Sequence, residues 1–113
     1  YIPVPTWGNH WKIFEACGLD CQSYRYYDRG TNGLDMDGIL QDIAAAPDGS
    51  IILLHACAHN PTGCDPNMEQ WQQIADVLEE KQHVAFFDSA YQGFASGDAE
   101  ADAAAFRRAL IPI

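Results

Sequence analysis

The sequence predicts an α/β fold, with three layers and a mostly parallel sheet flanked by helices. Three observations carry this. Residues 50–54 (Ser-Ile-Ile-Leu-Leu) and 84–87 (Val-Ala-Phe-Phe) are short apolar runs that read as buried strands. Between them, residues 66–80 carry an amphipathic helical pattern. Each apolar run opens into a polar stretch, His55-Ala-Cys-Ala-His-Asn-Pro-Thr-Gly63 and Asp88-Ser-Ala-Tyr91. A strand–helix–strand crossover is almost always right-handed and leaves its strands parallel. Ligands of open α/β sheets sit outside the carboxyl ends of such strands, so Asn60 and Asp88 are expected at one sheet edge.

The remaining elements follow in order. Tyr1 to Pro5 reads as a short extended segment, confined to a strand end by its two prolines. Thr6 is placed to cap a helix running from about Trp7 or Gly8 to Cys17, with Ile13, Phe14 and Cys17 at helical spacing and Gly18 as the stop. Cys21 to Tyr27 is aromatic-rich and weakly alternating, hence a strand, and Asp28 to Gly33 is a turn. Asp35 starts a second helix with the stripe Met36, Ile39, Leu40 and Ile43, ended by Pro47-Asp-Gly49. Asp65-Pro66 is the expected start of the next helix, with Asp as N-cap and Pro at the first position. Its buried face is Trp71, Ile74, Ala75 and Leu78, and residues 83–88 form the strand that follows. A glycine-containing loop, 92–98, leads to an Ala-rich helix, 100–110. Residues 1–113 show no internal domain boundary, repeat or linker.

Composition narrows the function. Hydrophobic residues make up 48% and charged residues 19% of the 113, as in ordinary globular domains. A net charge of −10 with only six Lys and Arg argues against nucleic acid and anionic membrane surfaces as partners. No apolar run approaches the ~20 residues of a membrane span. Cys17, Cys21, Cys57 and Cys64 lack disulfide-scaffold density and are expected as reduced thiols in a soluble intracellular setting, cytoplasm or organelle matrix. No secretory signal is visible. With no initiator Met and a start like mid-strand, the chain is expected to be a fragment of a longer one.

Three site readings compete. His55, Cys57 and His59 alternate at period 2 with Cys64 nearby, residue types that suit zinc; the spacing matches no regular zinc pattern, and no metal site is expected. Neither the dinucleotide fingerprint nor the P-loop occurs. The third reading is a ligand crevice built from Asn60, Asp88 and Tyr91. A carboxylate directly after four apolar residues is costly unless it is paired, and Tyr91 lies in a loop able to fold back over the crevice.

Pro5-Thr-Trp-Gly-Asn-His10, the 55–63 stretch and Asp88-Ser-Ala-Tyr-Gln-Gly-Phe-Ala-Ser-Gly97 together resemble the aspartate aminotransferase family, fold-type I enzymes dependent on pyridoxal 5′-phosphate. The likeness extends to Tyr24-Arg-Tyr-Tyr27 and Asp65-Pro66, and three long motifs in the right order are highly specific. It implies that the chain is the middle of the large, cofactor-binding domain. Asp88 then matches the carboxylate that pairs with the pyridine nitrogen. Asn60 and Tyr91 match the donors to the cofactor's 3′-oxygen, and Asn60 also a contact to the substrate carboxylate. Trp7 matches the indole stacked on the ring, with its N–H free for the substrate, and Ala90 the small residue on the opposite face. His10 and His55 match supporting groups behind Asp88. The resemblance further implies cis bonds at Asn60-Pro61 and Val4-Pro5, amino-acid and 2-oxo-acid substrates, and a homodimer. The rivals are an aromatic-amino-acid transaminase with the same motifs and a non-catalytic metal-binding or interaction module. Lys12 and Lys81, the only lysines, match no family position for the lysine that carries the cofactor. The family's substrate-binding arginines, phosphate-binding turn and partner-subunit tyrosine also find no match. The chain alone is therefore expected to be inactive.

Overall fold

The computed structural model describes residues 1–109; the predicted helix end at Leu110 and the residues to Ile113 lie outside the described part. The elements in order are β1 (Ile2–Val4), α1 (Asn9–Ala16), β2 (Ser23–Arg25), β3 (Tyr27–Asp28), β4 (Gly33–Leu34), α2 (Met36–Ala45), β5 (Ile51–His55), α3 (Met68–Glu80), β6 (Val84–Asp88), α4 (Ala99–Asp102) and α5 (Ala104–Ala109). β5 pairs with β6 and β1 with β2, both parallel, while β3 and β4 form a small antiparallel hairpin. Tyr1 joins the two parallel pairs: its amine donates to the Ile51 carbonyl at 2.7 Å, and Leu53 N donates to the Tyr1 carbonyl at 2.9 Å.

Strand alternation sends successive side chains to opposite faces. Ile52 and Leu54 of β5 join Ile39 and Ile43 of α2, Trp71, Ile74 and Leu78 of α3, and Tyr24 in the main core, with Ala85 and Phe87 of β6 packed against it. Fully burying one such aliphatic side chain is worth about 1.5–3 kcal/mol. On the other face Phe86 meets Phe14 of α1, edge to face at 5.3 Å. Helices therefore flank both faces, as the sequence predicts. The α1 layer is thin, however. Val84 stays 54% and Phe86 47% exposed, so β6 is not the buried strand expected from its composition. A strand covered on one face and a strand covered on both read alike as short apolar runs.

Four local readings change. Thr6 does not cap α1; the N-cap is Gly8, without a side-chain cap, and Thr6 is used elsewhere. The strand expected over 21–27 is split into β2 and β3, because Tyr26 leaves the ladder to send its hydroxyl to the Cys64 carbonyl at 2.6 Å. Asp65 is not the cap of α3. Asn67 is, in a capping box with Gln70 (Asn67 Oδ1 accepts from Gln70 N at 2.9 Å, Gln70 Oε1 from Asn67 N at 2.8 Å). The helix expected over 100–110 breaks at Ala103 into α4 and α5, with Asp98 as N-cap of α4. The reading of Asp35 stands: it caps α2 through Gly38 N at 2.8 Å. Gly18, at φ +76°, ends α1 as expected.

Asn67→Ala should lower stability by about 1 kcal/mol, the usual worth of an N-cap side chain. A urea titration reads this as a reduced midpoint at constant slope. An unchanged midpoint would return the cap to Asp65.

Candidate functional site

Parallel pairing places His55 directly opposite Asp88 at the carboxyl ends of β5 and β6, and Ala56 N donates to the Asp88 carbonyl at 2.9 Å. Both side chains fall on the α1 face. Beyond them opens a cavity of about 260 Å³, lined by Trp7, His55, Cys57, Asn60, Asp88, Ala90 and Tyr91. The residues singled out by sequence thus converge from four segments. Trp7 comes from the β1–α1 loop, behind the cis Val4-Pro5 bond, and Asn60 from the β5–α3 loop, before the cis Asn60-Pro61 bond. Asp88 ends β6, and Ala90 and Tyr91 lie in the loop after it.

The polar groups of this cavity divide into two sets. Within the described residues, the Asn60 amide, the Tyr91 hydroxyl and the Trp7 indole N–H make no side-chain hydrogen bond. Asp88, in contrast, is held from behind. His10 Nε2 lies 2.7 Å from its Oδ2, which leaves Oδ1 to the cavity. His10 Nδ1 lies 2.8 Å from Thr6 Oγ1, which also lies 2.8 Å from His55 Nε2. His55 Nδ1 accepts from Asn60 N at 3.4 Å.

That last bond orders the whole chain. A backbone N–H can only donate, so His55 Nδ1 is bare and Nε2 carries the proton. His55 Nε2 then donates to Thr6, the Thr6 hydroxyl donates to His10 Nδ1, and His10 Nε2–H donates to Asp88. The tautomers are assigned from this network. Burial, and next the nearby His10, pushes the His55 imidazole down to about 4. His59, stacked on Tyr26 at 3.9 Å and tilted against His55 at 4.2 Å, is pushed to about 3 by burial and then by His55 and His10. Both are neutral at pH 7, which keeps positive charge out of the wall and leaves the Asp88 carboxylate as the acidic group lining the cavity.

Sequence reasoning missed Thr6 as the bridge between two imidazoles, because a threonine before a helix is first read as a cap. It also missed Cys57 in the lining, although its period-2 spacing from His55 carried that signal. Asp102 was missed too. Buried behind the loop after Tyr91, it accepts from Gly93 N at 2.8 Å, Ala95 N at 3.1 Å and Ser96 N at 3.4 Å, and such bonds, those from Ser96 first, hold its carboxyl below the usual range. Among the described residues no three His, Cys, Asp or Glu side chains are gathered to hold a metal ion. Neither lysine lines the cavity: Lys12 is exposed on α1 and Lys81 pairs with Asp48.

The profile of the "Aminotransferase class I and II" family matches residues 1–111. The chain belongs to this family. Among its relatives is aspartate aminotransferase 1 of Medicago sativa, 59% identical over 103 residues, which cover 91% of this chain and 25% of that protein. Among solved structures, a mitochondrial aspartate aminotransferase from Trypanosoma brucei superposes with a TM-score of 0.94 at 46% identity, covering 96% of this chain and 29% of that one. An aromatic amino acid aminotransferase from Burkholderia cenocepacia gives 0.90 at 47% identity, covering 94% and 26%. The chain spans about a quarter of the length of the curated relatives it matches. For an aminotransferase-family chain the donor set is chemically apt. A flat basic heterocycle with an anionic oxygen needs a carboxylate at one point, donors at another and an aromatic face, and Asp88, Asn60, Tyr91 and Trp7 present these around one cavity.

The neutral imidazoles make stability pH-dependent. Unfolded, both titrate near 6.5; folded, they resist protonation down to about 4 and about 3. Their contribution is therefore complete above pH ~6.5 and is lost as pH falls through the folded values. Unfolding free energies from denaturant titrations should drop by roughly a few kcal/mol between pH 7 and pH 4. A flat profile over that range would show that His55 and His59 are not held neutral.

Proposed function

We propose that this chain is the central part of the large, cofactor-binding domain of a pyridoxal 5′-phosphate-dependent aminotransferase that moves an amino group from aspartate to 2-oxoglutarate. No domain boundary falls within residues 1–113. The observation that carries this reading is the convergence of Trp7, Asn60, Asp88, Ala90 and Tyr91 on one cavity, with Asp88 backed by His10. The aspartate assignment rests on relatives named as aspartate aminotransferases at 57–59% identity.

When bound, the cofactor supplies an electron sink for the substrate's α-carbon. Asp88 would hold the proton on the pyridine nitrogen. An anion within ~4–6 Å raises a cationic group's pKa by about 1–3 units, roughly 1.4–4 kcal/mol in favour of the protonated ring. His10 fixes Asp88 by donating to Oδ2, so the free oxygen keeps one direction. Asn60 and Tyr91, which line the cavity, would be the donors to the cofactor's phenolic oxygen and would stabilise its negative charge. Trp7 would cover one ring face, and Ala90 is small enough that it would let the other face approach the backbone. The Trp7 N–H and the Asn60 amide are the donors for the substrate carboxylate. The functional protein is a homodimer, and its compartment follows one of its relatives, which carry cytoplasmic, mitochondrial and chloroplastic names. No described helix is long and apolar enough to cross a membrane.

In the full-length protein, Asp88→Ala should lose most turnover, by about 10- to 1000-fold in kcat given the ring-nitrogen energetics, and Asp88→Glu should keep part of it. Near-wild-type kcat in Asp88→Ala would overturn the assignment. The 113-residue chain made alone should show no aspartate-dependent turnover. Pyridoxal phosphate followed by borohydride should then leave Lys12 and Lys81 unlabelled by peptide mass spectrometry. Stoichiometric label on either, with turnover, would show a self-sufficient site.

A further inference from the structure

Asp65 lies in the β5–α3 loop, outside the cavity lining and outside the cap of α3. Its carboxylate is nevertheless fully engaged. Oδ2 accepts from Ala58 N at 2.6 Å, and Oδ1 accepts from His59 N at 2.8 Å. Two consecutive amides converging on one anion form a nest, a shape that needs alternating backbone handedness. Ala58 sits in the left-handed region at φ +49°, which a residue with a Cβ rarely adopts. Something must hold it there, and the carboxylate on its own N–H and on the next one is that restraint. The following turn is closed by Gly63 N donating to the His59 carbonyl at 2.7 Å and by Thr62 Oγ1 at 2.7 Å from His59 Nδ1.

Asn60 comes immediately after this clamp. Its side chain lines the cavity, and its N–H is the donor that leaves His55 Nδ1 bare. We propose that Asp65 is a positioning residue: by holding Ala58 in the left-handed conformation it aims the Asn60 amide into the cavity and keeps the Asn60 N–H on His55. It thereby sets the direction of the hydrogen bonds that end on Asp88. Without the clamp, Ala58 relaxes to negative φ and both Asn60 contacts are lost together. Asp65 is exposed on its outer side, so its removal opens no buried hole. This proposal deepens the cofactor-binding reading above and rests on it for its effect on affinity.

The test uses full-length protein with Asp65→Ala, Asp65→Asn, Ala58→Gly and the Asp65→Ala/Ala58→Gly double variant. Glycine takes positive φ without penalty, so Ala58→Gly should relieve the need for the clamp. Spectral titration with pyridoxal 5′-phosphate should show about tenfold weaker binding in Asp65→Ala, equivalent to 1.4 kcal/mol. Asp65→Asn, which keeps one acceptor, should fall between it and wild type, and the double variant should recover most of the loss. Selective amide NMR of alanine and histidine should show far-downfield Ala58 and His59 protons in wild type that move upfield in Asp65→Ala. Wild-type affinity in Asp65→Ala, or a loss that Ala58→Gly does not recover, would overturn the proposal, the second outcome leaving Asp65 with a stability role alone. Should wild type itself fail to bind the cofactor, the functional reading falls; the Ala58 and His59 amide shifts still decide whether Asp65 holds the loop.

Discussion

A carboxylate at the end of an apolar strand must be held by hydrogen bonds or left in water, and Asp88 has both arrangements at once. One oxygen accepts from His10 Nε2–H at 2.7 Å, and the other takes no hydrogen bond from a side chain of the described residues, while the residue lines the cavity. Everything around it serves that split. The β5–β6 register puts His55 beside it, α1 brings His10 above it, and Thr6 fills the gap between the two imidazoles. A buried polar network of this kind is useful only if every member is satisfied with consistent polarity. Here one backbone N–H, that of Asn60, decides the polarity for all of them.

The same residues link the fold to the chemistry proposed for it. The neutral, desolvated His55 imidazole transmits orientation without adding its own charge to the wall that Asp88 lines. Rigidity comes from the elements behind. β5 is buried in the main core through Ile52 and Leu54, and α3 is anchored by Trp71, Ile74 and Leu78. Two of the loops that complete the cavity, those after β5 and β6, are each fastened by a carboxylate on backbone amides: Asp65 on Ala58 and His59, Asp102 on Gly93, Ala95 and Ser96. These clamps let irregular backbone hold donors in place on a regular scaffold.

Much of this was legible in the residues. The apolar runs before His55 and Asp88, with one amphipathic helix between them, are enough to bring Asn60 and Asp88 to one edge. The motif likeness named Trp7, Ala90, Tyr91, His10 and His55, and all of these meet at the cavity or directly behind it. What misled was local capping chemistry. Thr6, Asp65 and Asp35 are equally good N-cap residues by type, and only Asp35 is used as one. A short polar side chain near a helix start has several amides within reach, and its neighbours in sequence do not say which it takes.

The sequence by itself determined the layered α/β architecture and the meeting of two strand ends, because hydrophobic periodicity and the handedness of crossovers are properties of the chain read locally. It also singled out Trp7, Asn60, Asp88, Ala90 and Tyr91, which line one cavity. The tertiary structure alone decided how those side chains are tied. Thr6 bridges two histidines from different elements, one of them His55, 49 positions away in sequence. Tyr26 abandons a ladder for a distant carbonyl, and β6 stays open on one face while β5 is enclosed. Each outcome depends on which donors and surfaces packing brings within about 3 Å, the reach of a hydrogen bond. That is a distance in space, for which separation along the chain holds no information.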